Sequence, residues 1–485
     1  PPPQSRAPLT LMTAPAPTST PGPGPSVDDV LDAARIQVAA GRLGEAVALL
    51  ELTVQSAPDS VAARHELGAL LITLRRPREA EDQFRVALVL QPNNVDTQVN
   101  LGNALHAQGQ LESAESVYRQ ALALDARHVR GLVSLGNLLS HVRRPAEASE
   151  LLSQAAALAP GVPAVHNFLG NALRDLARID DAAASYGRAL AIDPGHPDAN
   201  ENLGGLLKVG NHLEQALACY RASGNPFARA QALDCELRLG RYDAFFAWLE
   251  QHADEEAANL HSAPLSAYAA FHQDRADPHR FCPHPLTHVR ISDRYTGTAD
   301  APFLQQLIRE AGQLEALWEP RGVTTKSGFQ TGGNLFTHAT NHPESAIARL
   351  QRDLLVELAR YREALVPAGL VLETRWPAVP RVQGWYVRLL SGGHQSFHNH
   401  PFGWLSGVVY LQMPRQAAAG EGAIEFGLEG SGFPRLSERL SPTLLHQPAP
   451  GQLALFPSSL FHRTIPFRSD EERLCIAFDL LPEPS

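Results

Sequence analysis

VDTQVNLGNALHAQGQLESAESVYRQALALDARH, residues 95–128, is one unit of a 34-residue period that begins at Val27. Its eighth residue is Gly102, and Gly68, Gly136, Gly170 and Gly204 hold the same place in other units. Its twentieth is Ala114, matched by Ala46, Ala80, Ala148, Ala182 and Ala216. Pro58, Pro92, Pro160 and Pro194 close four of the units, and Ala126 takes that place in another. A small eighth residue lets two antiparallel helices approach closely. Alanine at the twentieth does the same from the second helix, and proline ends that helix and turns the chain. Six periods in register predict an α-solenoid over 27–226. Residues 227–259 read as a degenerate seventh unit or capping helices.

This pattern is similar to the tetratricopeptide repeat. The resemblance implies a superhelix with a concave groove lined by the first helix of each unit. Asn100, Asn103, Asn137, Asn171 and Asn202 stand at the sixth or ninth position of those helices. Asparagine both donates and accepts hydrogen bonds, so a ladder of them can hold an extended peptide backbone. Similar ladders occur in repeat arrays of some peptide-modifying glycosyltransferases. Solvated polar positions, helix contacts and self-association of the superhelix are the competing readings.

The chain has 485 residues and a net charge of −10, so nucleic acid is not expected as a partner. No apolar run approaches the roughly 18–20 residues that span a membrane. Cys219, Cys235, Cys282 and Cys475 show no paired spacing, which suggests a reduced compartment; the expected location is the bacterial cytoplasm. Residues 1–26 are expected to be a disordered Pro-rich tail, with Met12 a candidate start. Residues 260–300, rich in His, Pro and Asp, read as a linker. Its His279, Cys282, His284 and His288 fit no standard zinc spacing and are taken as incidental.

From 301 the pattern changes. Pro343 opens a helix with Ile347, Leu350, Leu354 and Leu358 on one face. Short strands are expected at 381–390, 405–413, 422–427, 452–457, 463–467 and 473–481, punctuated by Gly and Pro. They suggest a double-stranded β-helix, or jelly-roll, over 301–485 with flanking helices, making the whole an α + β multidomain chain. His398-Asn399-His400 is followed by His462, 62 residues after His400, and Arg473 comes 11 residues later. Two ligands one residue apart point the same way from a strand, and a third histidine from a later strand can close one face of a metal ion.

The runs HNHP (398–401), WLSGVVYL (404–411), FPSSLFH (456–462) and RLCIAF (473–478) resemble a family of 2-oxoglutarate/Fe(II)-dependent oxygenases related to the prolyl hydroxylases. The resemblance covers about 280–482. It implies Fe(II) held by His398, His400 and His462, with His400 where most relatives place Asp or Glu. It implies that Arg473, with Tyr410, clamps the far carboxylate of the cosubstrate 2-oxoglutarate. Arg388 is a weaker candidate for that pocket, and ascorbate is expected to support turnover in vitro. His394 is an alternative ligand. Trp385, Trp404 and Phe461 are candidates for an apolar wall, or plain core. The expected function is hydroxylation of a protein or peptide recruited by the repeats. The alternatives are a repeat scaffold with an inactive oxygenase fold, or a three-histidine dioxygenase acting on a small molecule without 2-oxoglutarate.

Overall fold

Each period folds as two helices packed on one another. The pairs are α1 (Val27–Ala39) and α2 (Leu43–Ser56), α3 (Val61–Thr73) and α4 (Pro77–Leu90), α5 (Val95–Ala107) and α6 (Leu111–Leu124), α7 (Val129–His141) and α8 (Pro145–Leu158), α9 (Pro163–Asp175) and α10 (Ile179–Ile192). The computed structural model describes residues 26–483 except 321–322, 366–368, 416–417 and 431. The Pro-rich stretch up to 25 lies outside the described residues.

Several first helices start at a side-chain cap: Ser26, Ser60 and Asn94 accept from Asp29 N, Ala63 N and Thr97 N. The second helices α4 and α8 start instead with Pro77 and Pro145, whose missing N–H costs nothing in the first turn. The small eighth residue has a concrete reason. A Cβ added at Gly102 would collide with the ring of Tyr118, which fills that space from α6. The six twentieth-position alanines are all 0% exposed, leaving no room for a larger side chain.

The chain divides into two compact units between Asp193 and Pro194. The second unit begins with the sixth period, α11 (Pro197–Val209) and α12 (Leu213–Ser223). Then come α13 (Pro226–Arg238), α14 (Tyr242–Gln251), the single turn α15 (Ala253–Glu256) and α16 (Ala263–Gln273). The reading of 260–300 as a linker is corrected here. This stretch holds α16 and β1 (Arg290–Ser292), and its Tyr268, Phe281 and Tyr295 are each at most 1% exposed. Its prolines and histidines disguise a packed segment.

The remaining elements are α17 (Ala301–Gly312), β2 (Ala316–Trp318), β3 (Thr325–Thr331), α18 (Phe336–Asn341), α19 (Ala346–Leu365), α20 (Val371–Thr374), β4 (Arg381–Gln395), β5 (Leu405–Gln412), β6 (Ile424–Gly427), β7 (Thr443–His446), β8 (Leu453–Pro457), β9 (Phe461–Thr464) and β10 (Arg473–Leu481). Among the described residues they form a seven-stranded sheet, β1-β8-β5-β10-β4-β3-β2, and a three-stranded sheet, β7-β6-β9. All pairings are antiparallel, and the chain crosses between the sheets from β5 to β6, β7 to β8, β8 to β9 and β9 to β10. That alternation is the jelly-roll.

The central strands β5, β8 and β10 of the large sheet are buried on both faces. Alternate residues Tyr386, Val409, Ile476 and Phe478 pack with Ile347, Leu350, Leu354 and Leu358 of α19. Their neighbours Val387, Tyr410, Cys475 and Ala477 turn the other way, into a core shared with Ile424 and Phe426 of the small sheet. The candidate site lies on this inner face.

Candidate metal centre and anion pocket

His398 and His462 are brought together by backbone pairing. His398 N donates to His462 O at 3.0 Å, and His462 N donates to His398 O at 2.8 Å. Two residues on, His400 N donates to Ser458 O at 3.0 Å. The segment after β4 thus continues as an irregular fourth strand beside β9. One ring nitrogen from each of His398, His400 and His462 lies within 4.8 Å of the others, the sole such cluster of three potential ligands among the described residues. His394 is not part of the group, nor are His279, Cys282, His284 and His288.

Each imidazole has its Nδ1 engaged. His398 Nδ1 lies 2.7 Å from Ser396 O, His400 Nδ1 2.7 Å from Asp479 Oδ1, and His462 Nδ1 3.3 Å from Leu460 O. Each of those acceptors favours a proton on Nδ1, which leaves the Nε2 lone pair for a ligand. Removal of its ring from water, with His400 next, pulls the His398 pKa down to about 4. Burial, then His398 and His400, holds His462 well below its ordinary value. Both rings are therefore neutral at physiological pH, as metal ligation requires.

Arg473 opens β10 on the inner face and is 1% exposed. Its Nε donates to Gly422 O at 3.1 Å, and its guanidinium carbon sits 5.3 Å from the centre of the Tyr410 ring. No carboxylate lies within ion-pair distance of it among the described residues, and the buried Tyr410 hydroxyl has no hydrogen-bond partner. Burial raises the pKa of that hydroxyl, so it stays protonated and able to donate. A guanidinium with no carboxylate beside it and a hydroxyl with no hydrogen-bond partner thus stand together on the inner face, among the described residues.

Arg388 is not there, which corrects its assignment to this pocket. It faces Leu474 across the β4–β10 ladder, whereas Arg473 faces Leu389, so the two arginines stand on opposite faces of the sheet. Arg388 is exposed and forks onto Glu472 at 2.6 Å. Trp385 lines the mouth of the site, 5.5 Å from the His400 ring centre. Trp404 is core, its Nε1 donating to Leu372 O at 2.9 Å. Phe461 packs edge-on against Phe433.

The asparagine ladder is uneven. Asn100 must be removed from it: it is 7% exposed, its Nδ2 lies 3.2 Å from His65 Nε2, and its Oδ1 accepts from Arg130 at 2.7 Å. Asn103 and Asn171 are half-buried and accept from Tyr118 and Tyr186 hydroxyls at 2.7 and 2.8 Å, which leaves Nδ2 to donate. Asn137 is exposed and Asn202 half-buried.

Sequence reasoning missed Asp479, Ser406 and Ser458, which join His400 in one buried network. The available signal was an aspartate inside the otherwise apolar run IAFDLL.

A family model described as "Putative 2OG-Fe(II) oxygenase" matches residues 383–479, from β4 to Asp479. Models described as "Tetratricopeptide repeat" match 105–172, and 31–95 with 169–228. Among solved structures the chain is similar to TTC0263, a thermophilic TPR protein of Thermus thermophilus, at 22% identity over 38% of this chain and 100% of that one, with a TM-score of 0.35. It is similar to MamA from Desulfovibrio magneticus RS-1 at 18% identity, 34% and 92% coverage and a TM-score of 0.30. PilF of Pseudomonas aeruginosa gives 20% identity, 40% and 88% coverage and a TM-score of 0.36. No curated protein matches the chain. The chain thus joins tetratricopeptide repeats in its N-terminal part to a C-terminal domain of that 2OG-Fe(II) oxygenase family.

Proposed function

We propose that the chain is an Fe(II)- and 2-oxoglutarate-dependent hydroxylase of a protein or peptide that its repeats recruit in the cytoplasm. The observation that carries this reading is the unmet pair inside the barrel, Arg473 without a carboxylate and Tyr410 with an unpaired hydroxyl. An arginine buried without an anion is strongly unfavourable, so the site is built for one supplied from outside. The distal carboxylate of 2-oxoglutarate matches the guanidinium fork, and the Tyr410 O–H adds a third donor. A three-histidine dioxygenase without that cosubstrate would leave both groups unsatisfied.

His398, His400 and His462 are suited to hold Fe(II) through Nε2. Bound there, iron would activate dioxygen while 2-oxoglutarate is decarboxylated to succinate. The protein's part is to keep His398 and His462 neutral, bind the cosubstrate's far end away from water, and present the substrate. A cavity of about 440 Å³ opens beside the triad, with Trp385 and Phe402 as apolar walls and the amides of Gln330, Gln395 and Asn399 as polar ones. Among the described residues no lysine or arginine lines it, and its one carboxylate, Asp479, is engaged by His400. Such a cavity favours an uncharged group bearing amide hydrogen-bond partners, as a polypeptide segment does, over a charged metabolite. No described helix is long and apolar enough to cross a bilayer.

Succinate release from the full chain with Fe(II), ascorbate and 2-oxoglutarate tests the reaction. Capture of host proteins followed by mass spectrometry for one added oxygen tests the substrate class. Absence of succinate both alone and with host extract would sink the proposal.

A further inference from the structure

Three imidazole ligands bring no negative charge to a divalent ion, whereas non-haem Fe(II) is usually held by two histidines and one carboxylate. A carboxylate nevertheless stands one hydrogen bond further out. Asp479 Oδ1 lies 2.7 Å from His400 Nδ1 and accepts from Ser406 Oγ at 2.6 Å. Ser406 Oγ is in turn 2.8 Å from Ser458 Oγ, and the Ser458 carbonyl receives His400 N. Asp479 is 8% exposed and meets no lysine or arginine within ion-pair distance among the described residues. Gly403 makes the space, since a Cβ there would come within 2.8 Å of Asp479 Cγ and 2.9 Å of Ser458 Oγ. A buried carboxylate whose single ionic partner is an imidazole is costly unless that imidazole carries positive character. A metal on His400 Nε2 would confer it.

We propose that Asp479 is the positioning residue of the metal centre, returning through His400 the negative charge that a ligand carboxylate would have supplied and holding His400 with Nε2 toward the ion. The assignment rests on the metal-site reading above. Ser406 aims the carboxylate, and Gly403 keeps its place open. His400 and Asp479 together then act as one extended anionic ligand, which is how a histidine can stand at the third position.

Co(II) is the probe, because its visible absorption reports the ligand field without any turnover. Wild-type full-length chain is titrated first, then Asp479→Asn, which keeps size and an acceptor oxygen but not the charge. Asp479→Asn should bind Co(II) about 10–100-fold more weakly, with a shifted absorption band and unchanged far-UV circular dichroism. Equal affinity with an unchanged spectrum overturns the assignment and leaves the metal site standing. A wild-type chain that binds no Co(II) overturns both. If Asp479→Asn fails to fold, Ser406→Ala carries the test: it leaves the charge but removes one restraint, and several-fold weaker binding is expected. Undiminished Co(II) binding by a Ser406→Ala chain counts against the proposal.

Discussion

Arg473 is 1% exposed and has no carboxylate within ion-pair distance among the described residues. Losing one member of a buried, hydrogen-bonded ion pair costs roughly 3–5 kcal/mol. Arg473→Leu should therefore weaken 2-oxoglutarate binding by about two to four orders of magnitude, measured as the half-saturating concentration for succinate release. Arg473→Lys should recover part of the loss, because a point charge lacks the fork. Unchanged cosubstrate dependence in the leucine variant would remove the case for this anion. The histidines give a pH prediction. His398 and His279 are both held to about 4 by burial, against an unfolded value near 6.5. The stability that depressed values confer is complete above the unfolded pKa and is lost as pH falls through the folded one. Asp277, raised to about 6 by burial, works the other way, stabilising below its unfolded value and losing that as pH rises through 6. Two depressed histidines, with His462 as a third, outweigh one aspartate. The metal-free protein should melt at progressively lower temperature from pH 6.5 to 4, and a flat profile would contradict the neutral state of His398 and His462. The grouping of the three histidines was readable because spacing in strands constrains direction. Asp479 was not, because its partner lies 79 residues away in sequence and only the folded sheet joins them.

At the scale of elements, phase decides more than composition. β10 alternates Arg473, Cys475, Ala477 and Asp479 inward with Leu474, Ile476, Phe478 and Leu480 toward α19. One strand thus carries the candidate cosubstrate cation at one end and the histidine-orienting carboxylate at the other. Arg388 was misjudged because its nearness in sequence to the ligands says nothing of which face it takes. The six expected strands were legible from apolar runs bounded by Gly and Pro. β1, β2 and β7 were not, since none of their three or four residues is buried and no core-facing pattern marks them. In the solenoid, two glycines on helices make opposite predictions. Gly102→Ala would drive a Cβ into the Tyr118 ring, so overpacking of about 1–3 kcal/mol should exceed the gain in helix propensity. Gly187, within α10, has nothing within 4 Å of the same atom. Gly187→Ala should stabilise by about 0.5–1 kcal/mol. Urea denaturation of both variants checks the pair, and equal effects would show that the eighth position is not set by packing.

For the whole molecule, the 34-residue period predicts helix pairs but not what each pair packs against. It runs through Gly204 and Ala216 without a break, yet α11 and α12 belong to the second unit with the jelly-roll. Within that unit, α13 and α16 grip the segment between β6 and β7. Leu436 packs with Leu233, Leu237 and Leu265, Arg238 donates to Gly432 O, and the Tyr268 hydroxyl donates to Pro434 O at 2.9 Å. His272 lies 2.7 Å from Ser437 Oγ and 3.0 Å from Ser441 Oγ. A cut at 260 would strip α13 and α14 from α16 and expose Leu265, Tyr268 and Ala269, each now at most 5% exposed. Burial of that kind is worth about 1.5–3 kcal/mol for each large side chain, a sizeable part of the stability of any domain. Residues 194–485 should therefore fold, bind Co(II) and release succinate without substrate, whereas 260–485 should be unstable or aggregate. The longer fragment also separates chemistry from recruitment. If the first unit delivers a polypeptide, 194–485 should oxidise host proteins poorly, because binding energy remote from the reacting group is missing. Replacing Asn103, Asn137 and Asn171 together by Ala in the full chain should reproduce that loss. Each backbone contact contributes only about 0.5–1.5 kcal/mol, so the three must be removed at once. Should the triple variant capture and oxidise the same proteins as wild type, the ladder is not the recruiting surface. Should 194–485 do so as well, the first five repeats serve some purpose other than delivery.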